Sequence, residues 1–278
     1  MTWMRMPWLP LVVVLAAGCA RTPGVLGPDG MVPAPGEDAA AALEDEPDYD
    51  PWQPFNEAMF TFNHDVLDRW VVKPVATGWE AVVPKPARQS LKRAFNNLDM
   101  PRRFVNNVLQ LRPLGAGREL ARFTVNTTAG LAGLCDVASI LKIEPSEADL
   151  GQTLALYGVA AGPYLVLPTM PPLTLRDAIG RTADGMLDPL GYFLPLVARQ
   201  VRSIVNAVND RSLNLKLYAD VEDSVLDLYS AARNGYLQRR QQVVRVALSD
   251  RHEEWRWAFR EPEPAPQLAV STHAEDPS

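Results

Sequence analysis

The hydrophobic positions of residues 51–260 recur mostly at intervals of three and four, which is the spacing of one face of an amphipathic helix. Few segments alternate with the period of two that a half-buried strand requires. The first helical series follows Pro54 and consists of Phe55, Met59, Phe62, Val66 and Trp70. The pattern predicts an all-α fold, arranged as a single helical domain.

The same spacing predicts further helices. We expect them over residues 87–98, from about 118 past 123, over 197–208 and over 221–236. Pro101 interrupts the pattern after the first of these, because proline fits only the first turn of a helix. The last is predicted from one apolar stripe, formed by Val221, Val225, Leu228, Ala232 and Tyr236.

The segment from Leu150 to Leu175 carries no charged side chain over its 26 residues. That length would suit a membrane-spanning helix. Its four prolines would break such a helix, and the backbone groups they free cannot face hydrocarbon without partners. We therefore interpret it as a folded apolar loop or a set of short kinked elements. It forms either the buried centre of a soluble domain or a surface that touches acyl chains.

The N-terminus carries an export signal. A single base, Arg5, precedes an apolar run that ends in Leu-Ala-Ala-Gly-Cys at residues 15–19. This string resembles the bacterial lipobox, so residues 1–18 are predicted to be a lipoprotein signal peptide and Cys19 the lipidated residue. Ala20 is not the aspartate that retains lipoproteins in the inner membrane, which favours the periplasmic side of the outer membrane. The alternative is an ordinary secretory signal cleaved near Ala17.

The charge of −6 is unevenly distributed. Residues 1–19 carry +1, residues 20–50 carry −7 and residues from 261 carry −4, which leaves residues 51–260 at +4. Residues 19–50 are predicted to be the lipidated cysteine and a disordered acidic tether, and residues 241–278 a C-terminal extension that is disordered from about 261. Mild basicity suits anionic lipid headgroups and is too weak to indicate nucleic acid.

Cys135 is the second of the two cysteines. Lipidation of Cys19 would leave it unpaired. Its neighbours Leu134 and Val137 are apolar, so we expect a small buried hydrophobic side chain.

Three strings in the folded region resemble the MlaA/VacJ family of outer-membrane lipoproteins. Residues 122–138 and 150–177 supply two of them. The other is similar to the family signature D-P-x-x-x-F-N-x-x-M-F-x-F-N and contributes Asp50, Pro51, Phe55, Asn56, Met59, Phe60, Phe62 and Asn63.

This resemblance implies a function that composition alone does not. Members of the family remove phospholipids that have strayed into the outer leaflet of the outer membrane and pass them to the periplasmic carrier MlaC. The implied fold is a helical lipid-transport domain over residues 51–240, a ring in the inner leaflet with an amphipathic central channel, and the implied partners include a trimeric porin. The resemblance calls for no cofactor.

Candidate channel or lipid contacts are Asn126, Tyr157, Gly158, Gly162, Pro163, Tyr164, Arg199 and Arg202. Asn56 and Asn63 are also candidates for the lining, and the alternative for these amides is a buried hydrogen-bonded role. The two arginines could contact headgroup phosphates or lie on a solvated helix face. Trp52, Trp70 and Trp79 could sit at a membrane interface or in the core.

Two other functions are weighed against lipid transport. A phospholipase would need a nucleophile or a metal site, but the sequence has no G-x-S-x-G, no H-E-x-x-H and no cluster with metal-ligand spacing. His64 and Asp65 are adjacent on a predicted helix and are expected to point apart. We therefore expect no enzyme. A purely structural envelope lipoprotein would not need the uncharged segment.

Overall fold

The computed structural model describes residues 50–187 and 195–258. Within them the all-α prediction is confirmed, since helices account for nearly all regular structure. The only strands in this part of the chain are β1 (Tyr164–Leu165) and β2 (Leu173–Thr174), an antiparallel pair with Tyr164 opposite Thr174. The helices are α1 (Gln53–Thr61), α2 (Lys73–Val82), α3 (Lys85–Leu98), α4 (Met100–Leu109), α5 (Pro113–Thr128), α6 (Val137–Ile140), α7 (Leu150–Leu156), α8 (Leu175–Leu187), α9 (Leu196–Leu213), α10 (Leu215–Ser224) and α11 (Leu228–Ala258).

The helices pack in three groups. α4 lies against α5, and α7 lies against α8, while α9 packs on both α2 and α3. The long helix α11 contacts α7, so the C-terminal part of the chain packs on the segment that contains α7. α11 runs without interruption through residue 240 to Ala258.

Prolines set where the first five helices begin. Each of α1 to α5 has a proline at its first or second position. Proline is favourable there because the missing N–H would have no partner within the helix. This explains why α5 starts at Pro113 rather than near Arg118, and why Pro101 opens α4 rather than merely interrupting a helix.

An unusual segment links α1 to α2. Residues Phe62–Val72 form a π-helix of 11 residues without a buried side chain. π-Helical turns usually appear singly and often at functional sites. The first apolar series of the sequence is therefore α-helical only as far as Thr61.

The helix predicted over residues 221–236 is wrong as a continuous element. α10 ends at Ser224, and Val225 has an extended backbone with φ −113° and ψ 141°. Asp227 then starts α11, because its carboxylate accepts a hydrogen bond from the backbone N–H of Ser230 at 3.2 Å.

The uncharged segment 150–175 supplies much of the core, which favours the buried-centre alternative. Leu156 packs with Val244 and Leu248 of α11. Val166 and Tyr164 pack with Tyr229. The exposed large hydrophobic side chains of this segment are Tyr157, Val159, Met170 and Leu175.

The expectation that Cys135 is buried is wrong, because its side chain is exposed and free. Leu131, Ala132 and Gly133 all have positive φ, and the Cys135 N–H bonds back to the carbonyl of Gly130 at 2.9 Å. This left-handed turn directs the chain outward before α6. Cys19, the signal peptide, most of the tether, residues 188–194 and the tail from 259 lie outside the described residues.

Candidate functional site

The described residues distribute polarity in a way that is inverted relative to a water-soluble domain. Buried hydrophobic residues are fewer than exposed large hydrophobic residues. They are also fewer than buried polar or charged residues. Soluble monomers rarely expose contiguous apolar patches larger than a few hundred Å². An apolar exterior around a polar interior is the arrangement expected of a protein whose outer surface contacts lipid.

The apolar stripe of α9 illustrates this arrangement. Val197, Val201 and Ile204 share one helix face and are 73%, 52% and 61% exposed. A different side of α9 contacts α2 and α3, where Asn209 accepts a hydrogen bond from the Trp79 indole at 3.1 Å and donates one to the Arg88 carbonyl at 2.9 Å. The stripe therefore faces out of the protein, not into its core.

Two of the three tryptophans behave as interface residues would. Trp70 is 74% exposed and Trp52 is 44% exposed, so neither is a core residue. Trp79 is half-buried and bonded to Asn209. Exposed tryptophans beside apolar faces are typical of membrane–water interfaces.

Asn56 is fully buried, and its amide joins three parts of the chain. Its Nδ2 donates to the Asp50 carboxylate at 3.0 Å and to the Tyr164 carbonyl at 2.9 Å, while its Oδ1 accepts from the Val166 N–H at 2.9 Å. The hydrogen-bonded alternative therefore describes Asn56, and the channel-lining alternative is wrong for it.

The carboxylate of Asp50 completes this cluster. Burial acts to raise the pKa of Asp50, but hydrogen bonds from Tyr229, Asn56 and the Trp52 backbone outweigh it and hold the pKa below its usual value. Asp50, the first residue of the family signature, thus ties the start of α1 to α11.

Asn63 and Asn126 also anchor loops. Asn63 donates to the Leu167 carbonyl and accepts from the Thr169 N–H, each at 2.8 Å. Asn126 donates to Asp136 at 3.1 Å and accepts from the Ala138 N–H at 2.9 Å. Both amides are therefore hydrogen-bonded, Asn126 while buried and Asn63 while only partly buried, and lipid contact at Asn126 stays a prediction.

A second charged cluster joins α7, α8 and α11. Arg240 donates to both oxygens of Asp149 at 2.7 Å and to Asp177 at 2.6 Å, and Tyr236 also donates to Asp177. Burial acts to raise the pKa of Asp149, but the hydrogen bonds and charge of Arg240 outweigh it and the pKa is lowered. Asp149 also caps α7 through the Gln152 N–H at 2.8 Å.

The candidates of the segment 157–164 lie close together but differ in exposure. Tyr157 is exposed and donates to the Leu109 carbonyl at 2.7 Å, whereas Tyr164 is buried. Gly158 and Gly162 have φ of +83° and +70°, a region that favours glycine. Pro163 accepts a hydrogen bond from the Leu175 N–H at 3.1 Å. The two glycines therefore serve the turns that lead the chain from α7 to β1, and lipid contact at these positions stays a prediction.

The two arginines of α9 have separate surroundings. Arg199 is exposed. Arg202 donates to Asp99 at 3.0 Å, beside a cleft of about 250 Å³ between the α3–α4 turn and α8. The cleft is lined by Leu98, Asp99, Arg102, Arg181, Asp184 and Gly185. Sequence reasoning missed Arg102 and Arg181, because no local spacing connects two helices that are far apart in the chain.

The expectation that His64 and Asp65 point apart is wrong. His64 Nδ1 lies 2.8 Å from the Asp65 carboxylate and its Nε2 lies 3.3 Å from Glu222. The irregular π-helical geometry brings these neighbours together, and both ring nitrogens face carboxylates rather than a nucleophile. In the part of the chain that the structure describes, no group of three or more His, Cys, Asp or Glu could hold a metal ion.

No helix within residues 50–187 and 195–258 combines the length and hydropathy needed to cross a bilayer.

Comparison with known proteins finds relatives among phospholipid transport lipoproteins. The chain is 36% identical over 196 residues to the intermembrane phospholipid transport system lipoprotein MlaA of Haemophilus influenzae, which covers 69% of this chain and 78% of that protein. It is 39% identical over 157 residues to the protein of the same name from Escherichia coli K12, covering 55% of this chain and 62% of that relative.

A solved structure, from work on the structural basis for maintenance of bacterial outer membrane lipid asymmetry, superposes with a TM-score of 0.64. It shares 34% sequence identity and covers 70% of this chain and 99% of its own. Residues 48–243 match the family described as MlaA lipoprotein. On this match, together with the helical fold, the chain belongs to the MlaA lipoprotein family.

Proposed function

We propose that this chain removes mislocalised phospholipids from the outer leaflet of the outer membrane and passes them towards the periplasm as a passive conduit. The observation that carries the proposal is the inverted polarity of the described residues, with apolar faces outside and bonded polar groups inside. The names of the relatives, which are intermembrane phospholipid transport lipoproteins, support it.

The physical need for such a conduit is large. A phospholipid buries on the order of 30 methylene groups, each worth ~0.8 kcal/mol, so desorption through water is slow. A protein that keeps the acyl chains in apolar surroundings while the headgroup passes polar groups lowers this barrier. The ring-like arrangement and central channel that the family implies belong to this proposal.

Anchoring and partners are part of the proposal. Lipidation of Cys19 would hold the protein on the periplasmic side of the outer membrane, and the exposed face of α9 would add contact with acyl chains. A trimeric porin and the carrier MlaC are the protein partners we propose.

Two other functions fit less well. A structural envelope lipoprotein would not need apolar faces on several helices, which are costly in water. For a phospholipase, the one described histidine that contacts carboxylates, His64, has both nitrogens engaged and no nucleophile beside it. We therefore propose that the chain has no catalytic activity.

The first test measures phospholipid in the outer leaflet of cells that lack the gene, complemented with wild-type protein or with Cys19→Ser. We expect phospholipid to accumulate without the protein and only the wild type to reverse it. Normal outer-leaflet composition in the deletion strain would overturn the proposal. Released fatty acid that depends on the protein would indicate the phospholipase instead.

The second test addresses the apolar exterior. Val201→Asp places a carboxylate on the exposed stripe of α9, and Ser203→Asp places one on the same helix at an exposed polar position. We expect Val201→Asp to weaken binding of the unlipidated Cys19→Ser protein to phospholipid vesicles by roughly tenfold or more, because a charge at lipid depth costs ~2.5–3.5 kcal/mol. Equal binding of the two variants would mean that this face does not touch lipid.

A further inference from the structure

The cleft between the α3–α4 turn and α8 has a polar lining that the two clusters around Asn56 and Arg240 do not use. Asp99 and Arg102 come from the turn and the first residues of α4, and Arg181, Asp184 and Gly185 come from one side of α8. At about 250 Å³ the cleft is below the ~300–1,000 Å³ of pockets that enclose a drug-sized ligand. It suits a headgroup rather than a whole phospholipid.

The two carboxylates of the cleft already accept hydrogen bonds from other groups of the protein. Asp99 accepts a hydrogen bond from Arg202 at 3.0 Å. Asp184 is 3% exposed and accepts from the Asn106 amide at 2.7 Å and the Leu150 N–H at 3.0 Å. These bonds hold the two acids in the wall of the cleft. Neither carboxylate lies within hydrogen-bond distance of Arg102.

The two lining guanidinium groups keep their donors available. Arg102 lies 3.9 Å from Asp184 and 4.0 Å from Asp99, which is too long for a hydrogen bond. Arg181 is exposed, and it forms no ion pair with any residue in the described ranges. Arginine presents a planar fork of donors that matches the oxygens of a phosphate group.

The charges of the site match one anion. The side chains of Arg102, Arg181 and Arg202 against those of Asp99 and Asp184 leave one positive charge. A phosphodiester, the linkage in a phospholipid headgroup, carries one negative charge at neutral pH. Binding of one such group would neutralise the cleft.

We infer that Arg102 and Arg181 form a binding subsite for the phosphodiester of a phospholipid headgroup. The inference rests on the proposed function, and it assigns headgroup contact to these arginines in place of Arg199 and Arg202. Arg202 lies beside the subsite and donates a hydrogen bond to Asp99 at 3.0 Å. Free inorganic phosphate shares the recognised chemistry and is the competing source of the anion.

The test uses the full-length lipidated protein in detergent micelles and a soluble probe, dihexanoyl phosphatidylglycerol. Arg181→Gln is the main variant because its side chain is exposed, and Arg102→Gln is the second. Arg245→Gln removes an exposed arginine of α11 and is the matched control. We expect each cleft variant to bind the probe roughly tenfold more weakly, as for loss of a charge-assisted hydrogen bond, and the control to bind as the wild type does.

A second arm titrates inorganic phosphate and glycerophosphoglycerol into the same proteins. Competition by glycerophosphoglycerol that is lost in Arg181→Gln supports the subsite. Tight binding of inorganic phosphate with no binding of either glycerol ester would overturn it in favour of a free-phosphate site.

Failure of the subsite is distinguishable from failure of the proposed function. If the wild type binds the lipid probe and both cleft variants bind equally well while remaining folded, the subsite is wrong and lipid transport stands. If the wild type neither binds the probe nor corrects outer-leaflet phospholipid in cells, the proposed function fails and the subsite fails with it.

Discussion

Arg240 of α11 donates two hydrogen bonds of 2.7 Å to the carboxylate of Asp149, the residue that caps the N-terminus of α7. The Arg240 side chain is 12% exposed, and the same guanidinium reaches Asp177 at the start of α8. One side chain thus fixes three helices that are separate in sequence. A buried charge of this kind is costly once a partner is removed.

We predict that Arg240→Met lowers the free energy of unfolding by about 3–5 kcal/mol, because Asp149 and Asp177 would keep buried charges without their counterion. Thermal unfolding of the purified protein in detergent checks this. The matched control is Arg239→Gln, whose side chain is 75% exposed and should change stability by less than about 0.5 kcal/mol. Similar losses in both variants would mean that Arg240 is not the cross-link.

Stability should fall in acid. The folded-state pKa values of Asp50, Asp136 and Asp149 lie below the ordinary value of 3.8. Such groups contribute stability that is present above their unfolded pKa and is lost as pH falls through the folded pKa. We expect the loss to begin near pH 4 and to grow below it.

Asp184 has the opposite effect on how stability depends on pH. Burial raises its pKa, and the hydrogen bonds from Leu150 and Asn106 only partly offset this. Its contribution is fully present below the unfolded pKa and is lost as pH rises through the folded pKa. Unfolding free energies measured against pH should therefore fall more steeply in acid for Asp184→Asn than for wild type, and less steeply for Asp149→Asn. Parallel curves for the three proteins would contradict these assignments.

Cys135 should react in the folded protein. Its side chain is exposed, so we predict that a maleimide labels it without denaturant and that Cys135→Ser changes stability by less than about 0.5 kcal/mol. Mass spectrometry of the labelled protein and a melting curve of the variant check the two parts. Labelling that requires denaturant would place the thiol in the interior.

Val166 and Val159 separate folding from surface contact within the uncharged segment. Val166 is 1% exposed, so Val166→Asp should unfold the protein or lower its stability by several kcal/mol, because the new charge has no partner. Val159 is 42% exposed, so Val159→Asp should leave the fold intact. The measurement is abundance and melting temperature for both. A stable Val166→Asp protein would contradict the core position of the segment.

The sequence predicts helices well here and their orientation poorly. The spacing of Val197, Val201 and Ile204 correctly predicted a helix, but periodicity is the same whether a stripe faces a core or a bilayer. The break after Ser224 was missed because Val225 and Leu228 continue the helical spacing across it. What reveals the break is the side chain of Asp227, which caps α11.

Prediction of the candidate site from the sequence is limited in the same way. The amides of Asn56, Asn63 and Asn126 stood out in the sequence as polar residues beside apolar ones, and in the structure each forms hydrogen bonds that secure a loop. Arg102 and Arg181 gave no local signal, because only the packing of α4 against α8 brings them to one cleft. Long-range placement of this kind depends on tertiary contacts that no short motif records.

The inverted polarity of this chain also bears on how it is delivered. Val197, Ile204, Trp70 and Val82 are each more than 60% exposed, so a folded molecule in aqueous solution would present surfaces that favour self-association. At the outer-membrane location that we propose, the chain would have to cross water after its synthesis at another membrane. Safe passage therefore requires either an escort that shields these faces or a delay in folding until the destination bilayer is reached.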